Sequence, residues 1–314
     1  MSQRTNGPCQ IDRAELAYSR QRTLPPFRMD PNMPMQQSSA PVVVGIDGST
    51  AALEAARWGA AEAISRAVPL RLIHVVDVEA DLDPDLDEDP AAVARDWPET
   101  TSGLQALAAA STAVHDLGGP ISVESQIVYG EVDSTLVDES GHASMLCLGS
   151  TGITPICRHL LGSTAATLAE RGRCPVAVIR TPPDTCTSTL DPHWIVMAVD
   201  GGPDDDRIVD YALDEARLRR APVLAVDVSH NGHDADDSVG LRHRVSRWKE
   251  HHPSVRVYPV HAPTDIAGFL NQQEDLCVQL AVLGSADAEH VVAILGSDRK
   301  TGRQTSRCSI LVVR

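Results

Sequence analysis

Four apolar runs of this chain occur twice, in the same order, and that repetition limits the fold more than any other feature. Val42-Val43-Val44-Gly45-Ile46-Asp47 is echoed by Ile195-Val196-Met197-Ala198-Val199-Asp200. Val68-Pro69-Leu70 through Asp77-Val78 is echoed by Ala221-Pro222-Val223 through Asp227-Val228. Met145 to Ser150 returns as Leu280 to Ser285, and Arg173-Cys174-Pro175 through Arg180 returns as Arg307-Cys308-Ser309 through Arg314. The copies stand 153 positions apart at Asp47 and Asp200, 150 at Asp77 and Asp227, and 134 at Arg180 and Arg314. A repeat of this length is a duplicated folding unit. The falling offset places about 16 additional residues in the first copy, after its second strand, where a loop absorbs insertion.

Within a copy, short β-branched runs alternate with helical segments. In the first copy the strands are expected at 42–47, 70–78, 121–128, 144–148 and 175–179. Helices are expected from the Gly48-Ser49-Thr50 turn to Ala67, then over 104–117, 131–139 and 164–171. Ser49 or Thr50 is suited to cap the first of these. Continuous apolar strands separated by helices predict a parallel sheet covered on both faces, hence an α/β chain of two tandem doubly wound domains. The expected boundaries are a disordered arm over 1–40, a first domain over 41–181, a linker over 182–192 carrying Pro182, Pro183 and Pro192, and a second domain over 193–314.

Composition narrows the class. The 314 residues are 42% hydrophobic and carry a formal net charge of −16. So acidic a surface repels phosphate backbones, and only 3% of residues are aromatic, which leaves few stacking platforms; nucleic acid is not the expected partner. No apolar run approaches the length of a membrane span, about 18 residues, and no apolar stretch follows the early arginines as a secretory signal requires. Seven cysteines without a CxxC spacing read as reduced thiols of a cytoplasmic protein, with Cys147, Cys174, Cys277 and Cys308 as small core residues. The stretch from Asp77 to Asp89 holds eight carboxylates and no base. Leu86 and Ala92 stand where a calcium loop counted from Asp81 needs Gly and Glu, so it reads as a solvated loop rather than a metal site.

The chemistry concentrates between Leu148 and Thr164. Gly149, Gly152, Gly162 and Ser163 have the spacing G-x2-G-x9-G-[ST]. Gly149 and Gly152 would let backbone amides approach a polyanion without a Cβ between. Gly162, Ser163 and Thr164 open a helix, whose free N–H groups and positive dipole end favour a phosphate. Arg158 and His159 lie in the intervening loop, as does Cys157. In a doubly wound sheet, ligands sit outside the carboxyl ends of the strands, where the strand order reverses. Asp47 ends the first strand there, although it can equally cap the next helix, and Val75 lies near the end of the second. His74 reads as a partly buried strand histidine.

Val42 to Ser49, the run His74-Val75-Val76-Asp77, the Gly149–Gly152–Gly162–Ser163 motif and the closing Cys174-Pro175-Val176 strand together resemble the universal stress protein family. The resemblance spans about residues 40–314 as a tandem of two such Rossmann-like domains. In the ATP-binding branch of that family the glycine motif holds phosphates and ribose, while the Asp and the Val bracket the adenine. Carried over, this implies a nucleotide site of Asp47, Val75, Gly149, Gly152, Gly162, Ser163 and Thr164, occupied by ATP with or without Mg2+. It also implies antiparallel pairing of the two closing strands as an intramolecular pseudo-dimer, and a regulatory role in stress through an unidentified protein partner. No Walker lysine or positioned base is present, so slow or no hydrolysis is expected. The alternatives are a dimeric scaffold without nucleotide and, less favoured, a weak ATPase.

The second copy departs from the pattern. Asp200 is retained and Val226 is the expected counterpart of Val75. Asp287 stands where the second glycine belongs, with eight residues between it and Gly296-Ser297. A carboxylate there would repel a phosphate, so the second copy is expected to bind nucleotide weakly or not at all.

Overall fold

A computed structural model describes residues 40–77, 97–151, 161–180, 193–228, 235–262, 264–273, 276–295 and 308–314. The arm before Ala40, most of the acidic stretch, Gly152, Cys157, Arg158, His159, the linker and Gly296-Ser297 lie outside the described residues.

The first copy runs β1 (Val42–Gly45), α1 (Thr50–Arg66), β2 (Leu70–Val76), α2 (Pro98–His115), β3 (Val123–Tyr129), α3 (Val132–Ser140), β4 (Met145–Gly149), α4 (Ser163–Arg171) and β5 (Val176–Ile179). The second runs β6 (Trp194–Val199), α5 (Asp205–Arg219), β7 (Val223–Asp227), α6 (Ala235–His251), β8 (Val257–His261), α7 (Ile266–Gln272), β9 (Val278–Gly284), a 3-10 turn (Ser285–Asp287), α8 (His290–Leu295) and β10 (Ser309–Val313). All ten strands form one sheet in the order β3-β2-β1-β4-β5-β10-β9-β6-β7-β8. Each half has its strands parallel, with a reversal of order between β1 and β4 and between β6 and β9. The halves meet where β5 and β10 pair antiparallel, Ile310 opposite Val178. That pairing joins two strand edges that would otherwise be open.

Alternation along the strands divides the core. Val42, Val44 and Ile46 pack on one face of the sheet and Val43 on the other. Helix α1 lies close against its face because its buried residues are Ala51, Ala52, Ala55, Ala56, Gly59, Ala60 and Ala63. A Cβ on Gly59 would come within 2.7 Å of the Val44 side chain. Ser49 caps α1 as expected, its Oγ accepting from the Ala52 amide at 3.1 Å. Helix α2 begins six residues earlier than the apolar pattern suggested, because Pro98 is compatible with the first helical turn.

Two readings are corrected. Ala198 pairs with Val226 as Gly45 pairs with Ile73. The copies therefore keep their offset of 153 through the second strand; Val226 is the counterpart of Ile73, and Val228 that of Val75. Cys277 is not a reduced core residue: it is half-buried and disulfide-bonded. Cys147, Cys174 and Cys308 are buried thiols outside any disulfide. Burial pushes the Cys147 thiol well above its ordinary value, and the Cys174 thiol up to about 11.

The duplication extends to side chains at the seam. Glu62 and Arg66 on α1, and Glu215 and Arg219 on α5, are again 153 positions apart. Arg219 pairs with Glu62 at 2.9 Å and Glu215 at 2.5 Å, while Arg66 reaches Glu62 at 3.3 Å and Glu215 at 3.7 Å. At the strand ends, Arg180 of the first copy donates to the Leu295 carbonyl at the end of α8, 2.6 Å away. Its counterpart Arg314 donates to the Leu168 and Ala169 carbonyls near the end of α4. Each copy thus supplies a cation to the negative end of the other's helix.

Candidate functional site

A cavity of about 500 Å³ opens at the carboxyl ends of β1, β2 and β4, where the strand order of the first copy reverses. Asp47, Val75, Gly149, Gly162, Ser163 and Thr164 all line it. Six of the seven residues expected from sequence are thereby brought together, and the seventh, Gly152, lies outside the described residues. Sequence reasoning missed much of the apolar wall, including Ile73, Val132, Leu136 and Leu148. Val132 and Leu136 are one helical turn apart on α3, a spacing that could have marked the pair as facing one surface.

The turn after β1 is held tightly. Asp47 Oδ1 accepts from the Ser49 amide at 2.9 Å, and Gly48 has φ of 88°, a conformation that favours glycine. Asp47 therefore folds its own loop, and it is Ser49, not Asp47, whose side chain caps α1. Ser49 Oγ also donates to the Thr151 carbonyl at 3.3 Å, tying this turn to the segment after β4. His74 Nδ1 lies 2.6 Å from the Ile46 carbonyl. A carbonyl only accepts, so Nδ1 carries the proton in that bond. The ring fits beside α2 only because residue 103 is glycine: a Cβ there would stand 2.3 Å from His74 Cδ2. His74 is thus a partly buried strand histidine with a structural bond, as its position suggested.

The two described glycines of the motif differ in role. A Cβ on Gly149 would come within 2.7 Å of the Ala51 carbonyl carbon and 2.8 Å of the Ala52 nitrogen. Glycine is required there for β4 to pass the first turn of α1, a packing role that stands beside its place in the cavity lining. Gly162 has an ordinary backbone, φ −63° and ψ 145°, and a Cβ on it would find its nearest atom 3.9 Å away. Among the described residues nothing requires glycine at 162; what its missing side chain leaves is room in the cavity wall. Gly162 precedes α4 as its N-cap residue, and among the described residues no side chain caps that helix. Its first amides, at Ser163 to Ala165, lack intrahelical acceptors and open on the cavity with the positive end of the dipole. Glu131, outside the lining, caps α3, the helix that carries Val132 and Leu136, by accepting from the Ser134 and Asp133 amides at 2.7 and 3.0 Å. Those bonds, chiefly the Ser134 amide, hold its carboxyl below the ordinary value.

In the second copy, Asp200 and Gly201 repeat the turn. Asp200 Oδ1 accepts from the Gly202 amide at 2.7 Å, and Gly201 has φ of 85°. Asp287 lies in the 3-10 turn after β9, 3.7 Å from His290 Nδ1. Among the described residues there is no group of three or more His, Cys, Asp or Glu arranged to hold a metal, and no helix long and apolar enough to cross a membrane.

Fold and cavity define a tandem doubly wound α/β protein, with an apolar cleft in its first copy edged by an open helix N-terminus. A model of the universal stress protein family matches residues 39–180. A universal stress protein of Mycobacterium tuberculosis strain H37Rv is 40% identical over 273 residues, which is 87% of this chain and 96% of that protein. A second one from the same strain is 34% identical over 284 residues, 89% of this chain and 98% of that protein. The chain belongs to the universal stress protein family. Among solved structures, a universal stress protein from Archaeoglobus fulgidus is similar with a TM-score of 0.62, 17% identity and coverage of 88% of this chain and 96% of that one, a likeness of fold.

Proposed function

We propose that the first copy binds an adenine nucleotide, ATP foremost, and that the protein acts as a nucleotide-dependent regulatory module in a stress or energy response. The observation that carries this reading is the cavity edged by Gly162, Ser163 and Thr164. The N-terminus of α4 faces this cavity without a side-chain cap from Gly162, whose small size no described residue requires. Such an end suits phosphate, and the apolar wall at Ile73, Val75 and Leu148 suits a base. Family membership supports the assignment, since these positions match the motif of its ATP-binding branch. The described lining offers one carboxylate, Asp47, already engaged in its own turn, and no lysine or arginine. We read the site as one that holds a nucleotide rather than one that turns it over. The signal would pass to a protein partner, and the 41–181 and 193–314 segments would act as two domains.

The test is to purify the chain without added nucleotide, denature it, and identify any released nucleotide by chromatography and mass, with a Gly162→Val variant alongside. About one adenine nucleotide per chain from the wild type and none from the variant is the expected result. No release, together with no binding on titration to millimolar ATP, would overturn the reading in favour of a scaffold.

A further inference from the structure

The register between the copies shows what fills the second turn. Ala52 lines the cavity of the first copy, and the residue 153 positions on is Asp205. Asp205 is buried, at 6% exposure, at the start of α5. Its carboxylate turns back onto the loop after β6, accepting from the Asp200 amide at 3.2 Å and from the Gly201 amide at 3.0 Å. Arg244 of α6 donates to the same carboxylate and lies near the Trp248 ring, 5.9 Å from its centroid. The corresponding amides of the first copy, on Asp47 and Gly48, have no hydrogen-bond acceptor among the described residues. The two turns share an aspartate-closed geometry and a left-handed glycine, so the difference between them is the occupant.

We propose that Asp205 is a built-in anion. It fills, in the second copy, the amide-lined turn that the first copy leaves open beside its cavity. Arg244 completes a cage that takes a small free carboxylate once the Asp205 side chain is removed. Two amides and a guanidinium around one carboxylate are charge-assisted donors converging on a single acceptor, the arrangement used to bind anions. The cage is satisfied from within, so an external anion would have to displace a tethered one whose effective concentration is high. Resting on the nucleotide reading of the first copy, the consequence is a stoichiometry of one: the second copy is closed by Asp205, independently of Asp287.

The experiment uses the full chain and sodium acetate as the probe, against sodium chloride at equal ionic strength. Asp205→Ala, which installs the first copy's alanine, is expected to melt several degrees below wild type. Acetate should raise its melting temperature by a few degrees while leaving wild type unchanged, because binding to the folded state alone stabilises it. The gain should vanish in the double variant Asp205→Ala with Arg244→Ala. Equal melting of Asp205→Ala and wild type, or an acetate shift that is the same in all three proteins, overturns the proposal. If Asp205→Ala does not fold, Asp205→Asn is compared with Asp206→Asn, an exposed neighbour in the same helical turn. A far larger loss at 205 supports the cage, and equal losses overturn it. The acetate readout involves no nucleotide, so its failure and the failure of the first copy to bind ATP are separate results.

Discussion

The guanidinium of Arg219, in the second copy, lies 4.7 Å from the centroid of the Trp58 ring in the first. Arg66 stands over Tyr211 in the reciprocal contact, at 5.1 Å. Trp58 and Tyr211 are themselves 153 positions apart, so each copy's arginine covers the other's aromatic. Between them Glu62 and Glu215 are almost completely buried, with side-chain exposures of 2% and 0%. Arg219 Nη1 and the Glu215 oxygens are close but out of line for a hydrogen bond, so this contact is chiefly one of charge.

Removing Arg219 leaves two buried carboxylates with Arg66 as their only remaining cation in the quartet. Arg219→Ala is expected to cost about 3 kcal/mol or more, the range for breaking a buried pair from one side. Arg217→Ala, whose pair with Asp214 is half-exposed, should cost less than about 0.5 kcal/mol. Urea denaturation of both variants measures the difference, and similar midpoints would contradict the assignment.

Burial, and then the neighbouring Glu62 charge, raise the Glu215 carboxyl well above its ordinary value of 4.5, against the opposing pull of Arg219 and Arg66. Between pH 4.5 and that raised value the folded state therefore holds a proton that the unfolded state gives up; above it the group is the carboxylate that faces Arg219 and Arg66. The stabilisation from this group is complete below about pH 4.5 and is lost as pH rises toward the raised value. Glu215→Gln keeps the shape of the protonated acid without the titration. Its stability relative to wild type should increase as pH rises above 4.5, and a pH-independent difference would refute the account.

The glycines of the motif should separate by stability. Gly149→Ala forces a Cβ against the α1 backbone and is expected to cost about 1–3 kcal/mol through overpacking. Gly162→Ala, whose new carbon has its nearest described neighbour at 3.9 Å, should cost below about 1 kcal/mol. Chemical denaturation without ligand reads both, and the reverse order would undo the division of roles drawn from the geometry.

Cys147, Cys174 and Cys308 should resist alkylation in the folded protein at pH 8, because they are buried and the first two are held as thiols. All three should label fully in urea. Peptide mass spectrometry after iodoacetamide treatment decides it, and rapid native labelling at Cys147 would mean that the core opens.

Arg180→Ala removes a buried donor from the Leu295 carbonyl and should cost about 1–3 kcal/mol, with Lys restoring part of it. Thermal unfolding is the measurement, and an unchanged melting temperature would show the cross-copy cap to be idle.

The sequence by itself determined the duplication, the α/β class and the gathering of Asp47, Val75, Gly149, Gly162, Ser163 and Thr164 at one end of a sheet. Those features are local: strand periodicity, capping residues and motif spacing are all written along the chain. It did not determine why Gly149 is glycine, because the reason is the α1 backbone, nearly a hundred residues away in sequence. The same holds for Val226, whose partner follows from strand register rather than from likeness of composition. The buried quartet of Glu62, Arg66, Glu215 and Arg219, and the seating of Asp205 on the Asp200 and Gly201 amides, were decided by tertiary structure alone. A charged side chain on a helix reads as solvent-facing until the opposite copy closes over it. Burial and partner choice are properties of the assembled sheet, since they depend on which distant surfaces the antiparallel seam between β5 and β10 brings together.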